Sequence, residues 1–300
     1  MKLFTVIYND ARLLVHFLRH YESAGVRRFF VACSPEFVDE TRRLAEFYPI
    51  QVFAGLDVIN SLLTGTDAVS AMRHRCQSDD EWSIIVDLDE FIEFGDPIHV
   101  LVSTAEREYT NVMRGLLYDR FTADGDLPDL APDADLSKVF PVKSRFVREV
   151  MGGCDHKGVL VRGRLRPVPG AGHHLFEDER VCSKLLEISH YKWTLGAIER
   201  LRISHRRVLR AGLAWEGEYR KVLEHYDRYG RFAWETFGGQ LSEDFVPVVP
   251  QRCADCAAPL SEAEYEFSTR HLGKALCRMD QKKHRNSPGN APAGDGGICS

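Results

Sequence analysis

Four carboxylates follow a short aliphatic run in the segment EWSIIVDLDEFIEF, residues 81–94. Asp87 and Asp89 are two positions apart, and Glu90 and Glu93 come directly after them. In an extended chain residues i and i+2 point to the same side, so Asp87 and Asp89 are expected to converge where the strand ends. Two carboxylates about 4 Å apart repel each other by roughly 4 kcal/mol at an effective dielectric constant near 20.

A divalent cation would relieve this repulsion, because no basic residue lies between Trp82 and Pro97. Hard cations bind carboxylate oxygens, and Mg²⁺ commonly uses one or two carboxylates together with substrate phosphates. We therefore predict that Asp87 and Asp89 bind a metal ion that bridges a diphosphate. Three other interpretations stay open: a solvated acidic turn, an aspartyl-nucleophile phosphatase and a carboxylate-dependent nuclease.

The segments before the acidic residues alternate between strand and helix patterns. Strands are predicted at 3–8, 28–33, 50–55 and 82–87, and helices at 11–25, 35–48 and 66–76. This alternation predicts an α/β domain with a mostly parallel sheet flanked by helices. Ligands of such sheets bind beyond the carboxyl ends of the strands, which is where the acidic segment lies.

The middle of the chain is less regular. Further strands are predicted at 109–121, 156–168 and 185–193, and amphipathic helices at 195–235. A loop rich in proline, glycine and aspartate separates the first two of these strands at 122–135 and is typical of a loop near a binding site.

Composition restricts the class of protein. The chain has 300 residues, of which 44% are hydrophobic, and a formal net charge of −5, so bulk nucleic-acid binding is not favoured. No apolar stretch approaches the roughly 18 residues of a membrane span, and the N-terminus lacks a signal-peptide pattern. We expect a cytoplasmic protein, and an acceptor at a membrane surface stays open.

Five motifs in order resemble the family 2 glycosyltransferases of the GT-A fold, in the branch that carries an H-[YF]-x-W motif. They are ND-x-x-LLVHFLRHYESAGVRRFFV, EWSIIVDLDEFIEF, YDRFTADGDL, GAGHH and SHYKW. The resemblance covers residues 1–235 and implies a Rossmann-like catalytic domain at 1–245. It also implies a nucleotide-sugar donor and a divalent cofactor, Mn²⁺ or Mg²⁺.

The resemblance implies roles for residues around the diphosphate. Asp87 and Asp89 match the motif that binds the metal and the donor diphosphate. His190 of SHYKW matches a third metal ligand, although a buried histidine at a strand end is the alternative. Lys192 would steady the leaving phosphate as a point charge, and a solvated lysine is its alternative.

Donor-binding residues are also expected at the end of the first strand. Asn9 and Asp10 match an Asn-Glu pair near the donor nucleotide, with Asp10 one methylene shorter than the residue in the relatives. Asn9 could equally cap the first helix. Arg73, in the helix before the fourth strand, could face the nucleotide or lie on the surface.

Family 2 enzymes generally invert the anomeric centre, which requires a carboxylate that deprotonates the acceptor hydroxyl. Three residues are candidates, and the sequence does not choose among them. Asp119 lies at the end of a predicted strand, Asp124 follows in the loop, and Asp178 lies about ninety residues after the acidic segment. His173 and His174 are further candidates for lining the site, although adjacent histidines in a glycine-rich turn can also be ordinary surface residues.

Cysteines near the C-terminus predict a separate module at 252–285. A closed structural zinc site would use Cys253, Cys256, Cys277 and Asp280, in a zinc-ribbon-like spacing whose last cysteine is replaced by aspartate. His284 or Cys299 could take the fourth position instead, and free thiols are the alternative. The tail at 286–300 is predicted to be disordered.

The sequence thus predicts metal-dependent transfer of a sugar, with inversion, from a nucleotide-sugar donor to an unknown acceptor. The acceptor could be a glycan, a lipid-linked molecule or a small molecule. Two alternatives stay open: a non-catalytic glycosyltransferase-like binding protein and a metal-dependent phosphohydrolase.

Overall fold

The computed structural model describes residues 1–54, 67–168, 171–213 and 215–241. The chain divides into two compact units, residues 1–245 and 246–300, and the second unit lies outside the described residues. The cysteine module at 252–285 and the tail at 286–300 therefore stay predictions. In the described ranges, no helix is long and apolar enough to cross a bilayer.

The first half of the sheet is parallel, as the alternating sequence pattern predicts. Its strands are β1 Lys2–Ile7, β2 Arg28–Cys33, β3 Ile50–Ala54 and β4 Trp82–Ile85. They lie in the order β3-β2-β1-β4 and all pair in parallel. The helices between them are α1 Leu14–Ser23, α2 Val38–Leu44 and α3 Asp67–Cys76.

Helices cover both faces of these four strands. Successive strand residues point to opposite faces, so Leu3 joins a core that includes Phe17 of α1, whereas Phe4 joins a core that includes Met72 of α3. All four side chains are fully buried, and burying a side chain of this size contributes roughly 1.5–3 kcal/mol. The ends of the strands are thereby held in fixed positions.

The second half of the sheet is mixed. Its strands are β5 Glu90–Glu93, β6 Val112–Phe121, β7 Val142–Ser144, β8 His156–Arg162, β9 Leu186–His190 and β10 Gln240–Leu241. β8 pairs antiparallel with both β4 and β6, whereas β9 pairs in parallel with β6 and antiparallel with β5. The expectation of a mostly parallel sheet is therefore correct up to β4, beyond which antiparallel pairs enter. β6 lies between β7 and β8 and pairs antiparallel with both.

The helices of the second half are α4 Ile98–Arg107, α5 Leu136–Val139, α6 Ala197–Ala211 and α7 Glu216–Tyr229, with a helical turn at Val147–Met151. α4 and α5 pack on the first core, whereas α6, α7 and the helical turn enclose a third core. α6 ends at Gly212, which adopts a left-handed conformation with φ of 64°. Trp193 packs here against Phe121, Phe146 and Phe232 and is buried. Trp193 is therefore a core residue and not a surface on which a sugar stacks.

Candidate active site

The acidic turn, residues 87–90, leaves the carboxyl end of β4 and leads directly into β5. The Glu90 amide donates to the Asp87 carbonyl at 3.1 Å, and the Glu90 carboxylate accepts from the Asp87 amide at 2.8 Å. β5 pairs with β9 so that Glu90 lies opposite His190. The strand register therefore brings the acidic turn to the end of β9, although the two segments are about a hundred residues apart in sequence.

A chain of three side chains links the acidic turn to the interior. Asp89 Oδ2 lies 3.4 Å from His190 Nε2, and Asp119 Oδ1 lies 3.0 Å from His190 Nδ1. Asp119 is 0% exposed and also accepts hydrogen bonds from Trp193 Nε1 and the Val147 amide, each at 3.0 Å. Three fixed donors thus hold Asp119, which in turn orients the imidazole of His190 toward Asp89.

The charges in this chain stabilise one another. Burial alone would lower the pKa of His190, but the adjacent carboxylates of Asp89 and Asp119 raise it to about 10. Burial alone would raise the pKa of Asp89, but the charge of His190 and its hydrogen bond hold that pKa well below its usual range. At neutral pH His190 is therefore an imidazolium between two carboxylates.

Lys157 of β8 neutralises the other acids of the turn. Its side chain is only 4% exposed, and Nζ lies 2.6 Å from Asp87 Oδ2 and 2.8 Å from Glu90 Oε2. Burial alone would lower the pKa of Lys157, but Asp87 and Glu90 raise it. The repulsion from which we predicted a metal ion is thus already relieved in part by a lysine 70 residues after Asp87.

A cavity of about 890 Å³ opens at the carboxyl ends of β1 and β4. Its wall is formed by these strand ends, the acidic turn, β8, β9, the turn at 171–175, α6 and α7. Asp87, Asp89, His190 and Lys192 all line it. The volume suits a small-molecule site, and the location is where open α/β sheets bind ligands.

Lys192 offers a positive charge to this cavity. Its ammonium lies 5.6 Å from the Trp193 ring and 5.8 Å from the Tyr219 ring. No ion pair or hydrogen bond of this ammonium is found among the described residues. Burial alone would lower the pKa of Lys192, but Tyr219 and Asp89 raise it, so the side chain stays charged. It is available to an anionic group of a ligand.

His173 offers a neutral polar group. The side chain is buried at the cavity, and within the described part of the chain its Nε2 has no hydrogen-bond partner. Burial, together with the nearby charge of Lys157, lowers the pKa of His173 to about 3. An uncharged imidazole is therefore available to a ligand. His174 lines the cavity as well.

The two residues predicted at the end of the first strand both line the cavity. Asn9 is exposed there. Asp10 Oδ2 lies 2.7 Å from an Arg200 guanidinium nitrogen, and its Oδ1 accepts from the Arg12 amide at 3.0 Å. Asp10 therefore ties the end of β1 to α6, and its carboxylate is already paired.

Arg73 neither faces the cavity nor lies on the surface. It is 2% exposed and donates to the Leu165 carbonyl and to Gln77 Oε1, each at 3.0 Å. It also donates to the Gly163 carbonyl. Burial lowers the pKa of Arg73 to about 10. Arg73 joins α3 to the segment after β8. It therefore neither faces a nucleotide in the cavity nor lies on the surface, the two positions that the sequence left open.

None of the three predicted bases lines the cavity. Asp119 is buried behind His190, where it accepts hydrogen bonds from His190, Trp193 and the Val147 amide. Asp124 accepts from Thr122 Oγ1 at 2.7 Å and from the Asp126 amide at 3.1 Å, in an exposed turn of its own. Asp178 is exposed, with a left-handed φ of 55°. The fold thus directs each of them away from the ligand space.

Several charged residues of the cavity escape the sequence prediction, among them Lys157 and Glu218. Lys157 is the second residue of a predicted strand, and a lysine directly before an apolar run was the available signal. Glu218 is one of several acids in the first turns of α7 and also lines the cavity. Nothing in its sequence neighbourhood distinguishes Glu218 from the others.

Asp89 and His190 are the two side chains that could hold a divalent cation here. Asp89 Oδ2 and His190 Nε2, 3.4 Å apart, could both bind one ion once the imidazolium proton leaves. The hydrogen bond from His190 Nδ1 to Asp119 is the kind that orients metal-bound histidines. Asp87, 55% exposed and paired with Lys157, is a further carboxylate of the same turn. Among the residues that the structure describes, no three such side chains already converge, so a bound ligand or water has to complete the shell.

No protein-family model and no curated protein matches this sequence. Among solved structures, HddC from Yersinia pseudotuberculosis is similar at 9% identity and a TM-score of 0.31, covering 54% of this chain and 73% of that one. A 4-diphosphocytidyl-2C-methyl-D-erythritol synthase from Anaerococcus prevotii has 9% identity and a TM-score of 0.29, covering 54% and 70%. Another structure of that synthase has 16% identity and a TM-score of 0.28, covering 54% and 75%. Scores this low identify no relative, so the function has to be inferred from the chain's own cavity.

Proposed function

We propose that this chain is a glycosyltransferase that binds a nucleotide-sugar donor in the cavity and transfers the sugar to an acceptor hydroxyl. The observation that carries the proposal is the convergence of Asp87, Asp89, His190 and Lys192 on one cavity at the carboxyl ends of β1 and β4. These residues come from two motifs about a hundred positions apart. Carboxylates, an imidazole and a lysine together suit a diphosphate and its cation.

The donor would lie across the cavity from the β1 end toward Lys192. Val6 and Val69 give the cavity an apolar wall near β1 and α3, which suits the nucleoside. The ammonium of Lys192, which has no ion pair within the described part of the chain, suits the diphosphate, because lysine binds phosphate as a compact point charge. The side chains of Asn9 and His173 are polar groups available to the ribose or the sugar.

Asp89 and His190 would hold the divalent cation, Mn²⁺ or Mg²⁺. When bound, the ion would supply positive charge that stabilises the leaving diphosphate. Asp119 keeps the His190 ring in the orientation that presents Nε2. Lys157 pairs with both Glu90 and Asp87, and the partly exposed Asp87 carboxylate lines the cavity beside the ion.

Transfer would proceed by attack of an acceptor hydroxyl on the anomeric carbon of the sugar, with inversion. Lys192 would stabilise charge that develops on the diphosphate as the glycosidic bond breaks. The acceptor can be a glycan, a lipid-linked molecule or a small molecule. For the second unit we retain the proposal of a structural zinc site.

Donor turnover tests the proposal. The protein would be incubated with UDP-glucose, GDP-mannose or dTDP-glucose and Mn²⁺, and released nucleoside diphosphate would be measured. We expect release from one donor, lost with EDTA and in Asp89→Asn. Asp96→Asn is the matched control, because Asp96 pairs with Lys184 outside the cavity.

Other products would support the alternatives. Release of inorganic phosphate from nucleotides that carry no sugar would indicate a phosphohydrolase. Tight binding of a donor without turnover, even by water, would indicate a non-catalytic binding protein. Either result would contradict the proposed transferase activity.

A further inference from the structure

The cavity contains one carboxylate that nothing in the described part of the chain pairs. Asp10 is paired with Arg200, Asp87 and Glu90 with Lys157, and Asp89 with His190. Glu218, in the first turn of α7, also lines the cavity. Within the described ranges its carboxylate makes no ion pair and no hydrogen bond. It is therefore free to accept a proton or a hydrogen bond from a ligand.

The position of Glu218 is set by close packing against the turn after Met151. A Cβ atom placed on Gly153 would lie only 2.9 Å from Glu218 Oε2, so the carboxylate rests directly on the backbone there. Next to it, Lys221 Nζ donates to the Met151 carbonyl at 2.9 Å and fixes α7 against the same turn. The carboxylate is thus held in place by shape and not by a counter-charge.

Its electrostatic surroundings suit proton transfer. Burial raises the pKa of Glu218 above its ordinary value, while Lys192 across the cavity and Lys221 on the same helix lower it in part. A carboxylate whose pKa is raised toward neutrality is a more effective general base than a fully solvated one.

We propose that Glu218 is the base that deprotonates the acceptor hydroxyl, an assignment that rests on the proposed transferase function. The acceptor oxygen forms a bond to the anomeric carbon, and the bond from that carbon to the phosphate oxygen breaks. The electron pair of the broken bond stays on the diphosphate, near Lys192. The acceptor proton passes to the Glu218 carboxylate and from there to water.

The wall around Glu218 indicates the class of acceptor. Trp215 lines the cavity one helical turn before Glu218, and its ring meets the Tyr219 ring edge-on at 5.5 Å. Val147 and Met151 add further apolar surface to the cavity wall. An aromatic surface beside a carboxylate suits an acceptor that has both an apolar face and a hydroxyl, such as a sugar ring.

Glu218→Gln tests the assignment, because it removes the basic oxygen with little change of shape. Donor hydrolysis, in which water is the acceptor, would be followed by release of nucleoside diphosphate from pH 4.5 to 8.5. We expect kcat to fall by about 100-fold or more, whereas affinity for the nucleoside diphosphate changes less than twofold. In wild type, kcat should rise with pH at the acid end of this range, because Glu218 loses its proton there. This rise, the acid limb of the pH profile, should be absent from Glu218→Gln.

Glu224→Gln is the matched control, because Glu224 lies on the same helix but is exposed and pairs with Arg220. It should retain wild-type kcat and the wild-type pH profile. Gly153→Ala is a second variant, since the added methyl pushes the carboxylate aside while keeping it. We expect a partial loss of kcat, about tenfold, with the acid limb of the pH profile retained.

Two results would overturn the assignment, and they differ from a failure of the proposed function. The first is a Glu218→Gln enzyme with wild-type kcat and an intact acid limb. The second is an equal loss of nucleotide affinity and kcat, which would make Glu218 a donor-binding residue. If the wild-type protein neither binds nor cleaves any nucleotide sugar, the transferase function itself fails, and the assignment fails with it.

Discussion

The two walls of the cavity differ in how their charges are satisfied. The sheet wall consists of Asp87, Asp89, Glu90, Lys157 and His190. There every acid meets a base, at distances between 2.6 and 3.4 Å. The helical wall consists of Val147, Met151, Trp215, Glu218 and Tyr219. It is largely apolar, and its one carboxylate has no partner among the described residues.

This difference separates two tasks. Paired charges in a buried sheet are fixed in place and keep their ionisation state, which suits the binding of a cation and a diphosphate. An unpaired carboxylate in an apolar wall titrates more readily, which suits proton transfer. The sheet wall would therefore hold the donor, and the helical wall would activate the acceptor.

Removing the Lys157 ammonium disrupts the ion pairs of the sheet wall and should have the largest effect on stability. Lys157→Met leaves Glu90 buried, at 4% exposure, without a counter-charge. We expect the free energy of unfolding to fall by about 3–5 kcal/mol, as is typical when one partner of a buried ion pair is removed. Urea denaturation measures this change.

Two further variants make that prediction specific. Lys143→Met removes a partly exposed pair with Glu187 and should cost less than about 1 kcal/mol. The double variant Lys157→Met/Glu90→Gln removes both buried charges and should recover much of the lost stability. If Lys157→Met were no more destabilising than Lys143→Met, the sheet wall would not depend on its central pair.

Asp119→Asn weakens the hydrogen bond that orients His190 of the sheet wall, although Asp119 itself does not line the cavity. The variant replaces one acceptor oxygen with an NH₂ group that faces donors from His190, Trp193 or Val147. We expect affinity for nucleoside diphosphate in Mn²⁺ to fall by about 10- to 100-fold, as for other residues that orient a metal-bound histidine. Calorimetric titration of the variant measures the loss.

The control for Asp119→Asn is Asp155→Asn. Asp155 is equally buried but pairs with Arg145, whose Nε lies 2.9 Å away, and it does not line the cavity. This variant should lose stability and keep its nucleotide affinity. Equal losses of affinity in the two variants would mean that Asp119 acts through general stability alone.

The smallest predicted effect is a dependence of stability on pH at Asp155. Burial alone would raise the pKa of Asp155, but its hydrogen bonds and ion pair with Arg145 lower it. Because the folded pKa lies below the unfolded value of about 3.9, the contribution to stability is present above pH ~3.9 and is lost as pH falls through the folded pKa. Below pH 4 the unfolding free energy of wild type should therefore decline more steeply than that of Asp155→Asn.

The parallel half of the fold and the place of the acidic turn follow from local sequence. Each strand from β1 to β4 is a short, largely apolar run. The segments between them carry helix signals, such as the periodic apolar residues of α1 and the proline that precedes α2, so the order of the elements is predictable. A ligand site at the end of β4 follows from that order. Asp87 and Asp89 accordingly lie at the cavity.

The electrostatic partners do not follow from local sequence, because antiparallel pairing in the second half of the sheet decides them. Lys157 meets Asp87 because β8 pairs with β4. Asp119 lies opposite His190 because of the register between β6 and β9. A residue at a predicted strand end can therefore be buried support, as Asp119 is. Glu218 is invisible in the sequence because its role depends on which face of α7 meets the cavity.

Calorimetric titration of the purified protein with UDP, GDP and dTDP tests the donor site most directly. Each would be measured with Mn²⁺ and with EDTA, for wild type, Asp89→Asn and Asp96→Asn. We predict that one nucleotide binds in Mn²⁺, that EDTA abolishes the binding, and that Asp89→Asn weakens it by about 100-fold or more while Asp96→Asn does not. Equal affinity in EDTA, or in Asp89→Asn, would contradict a metal-assisted diphosphate site at the acidic turn.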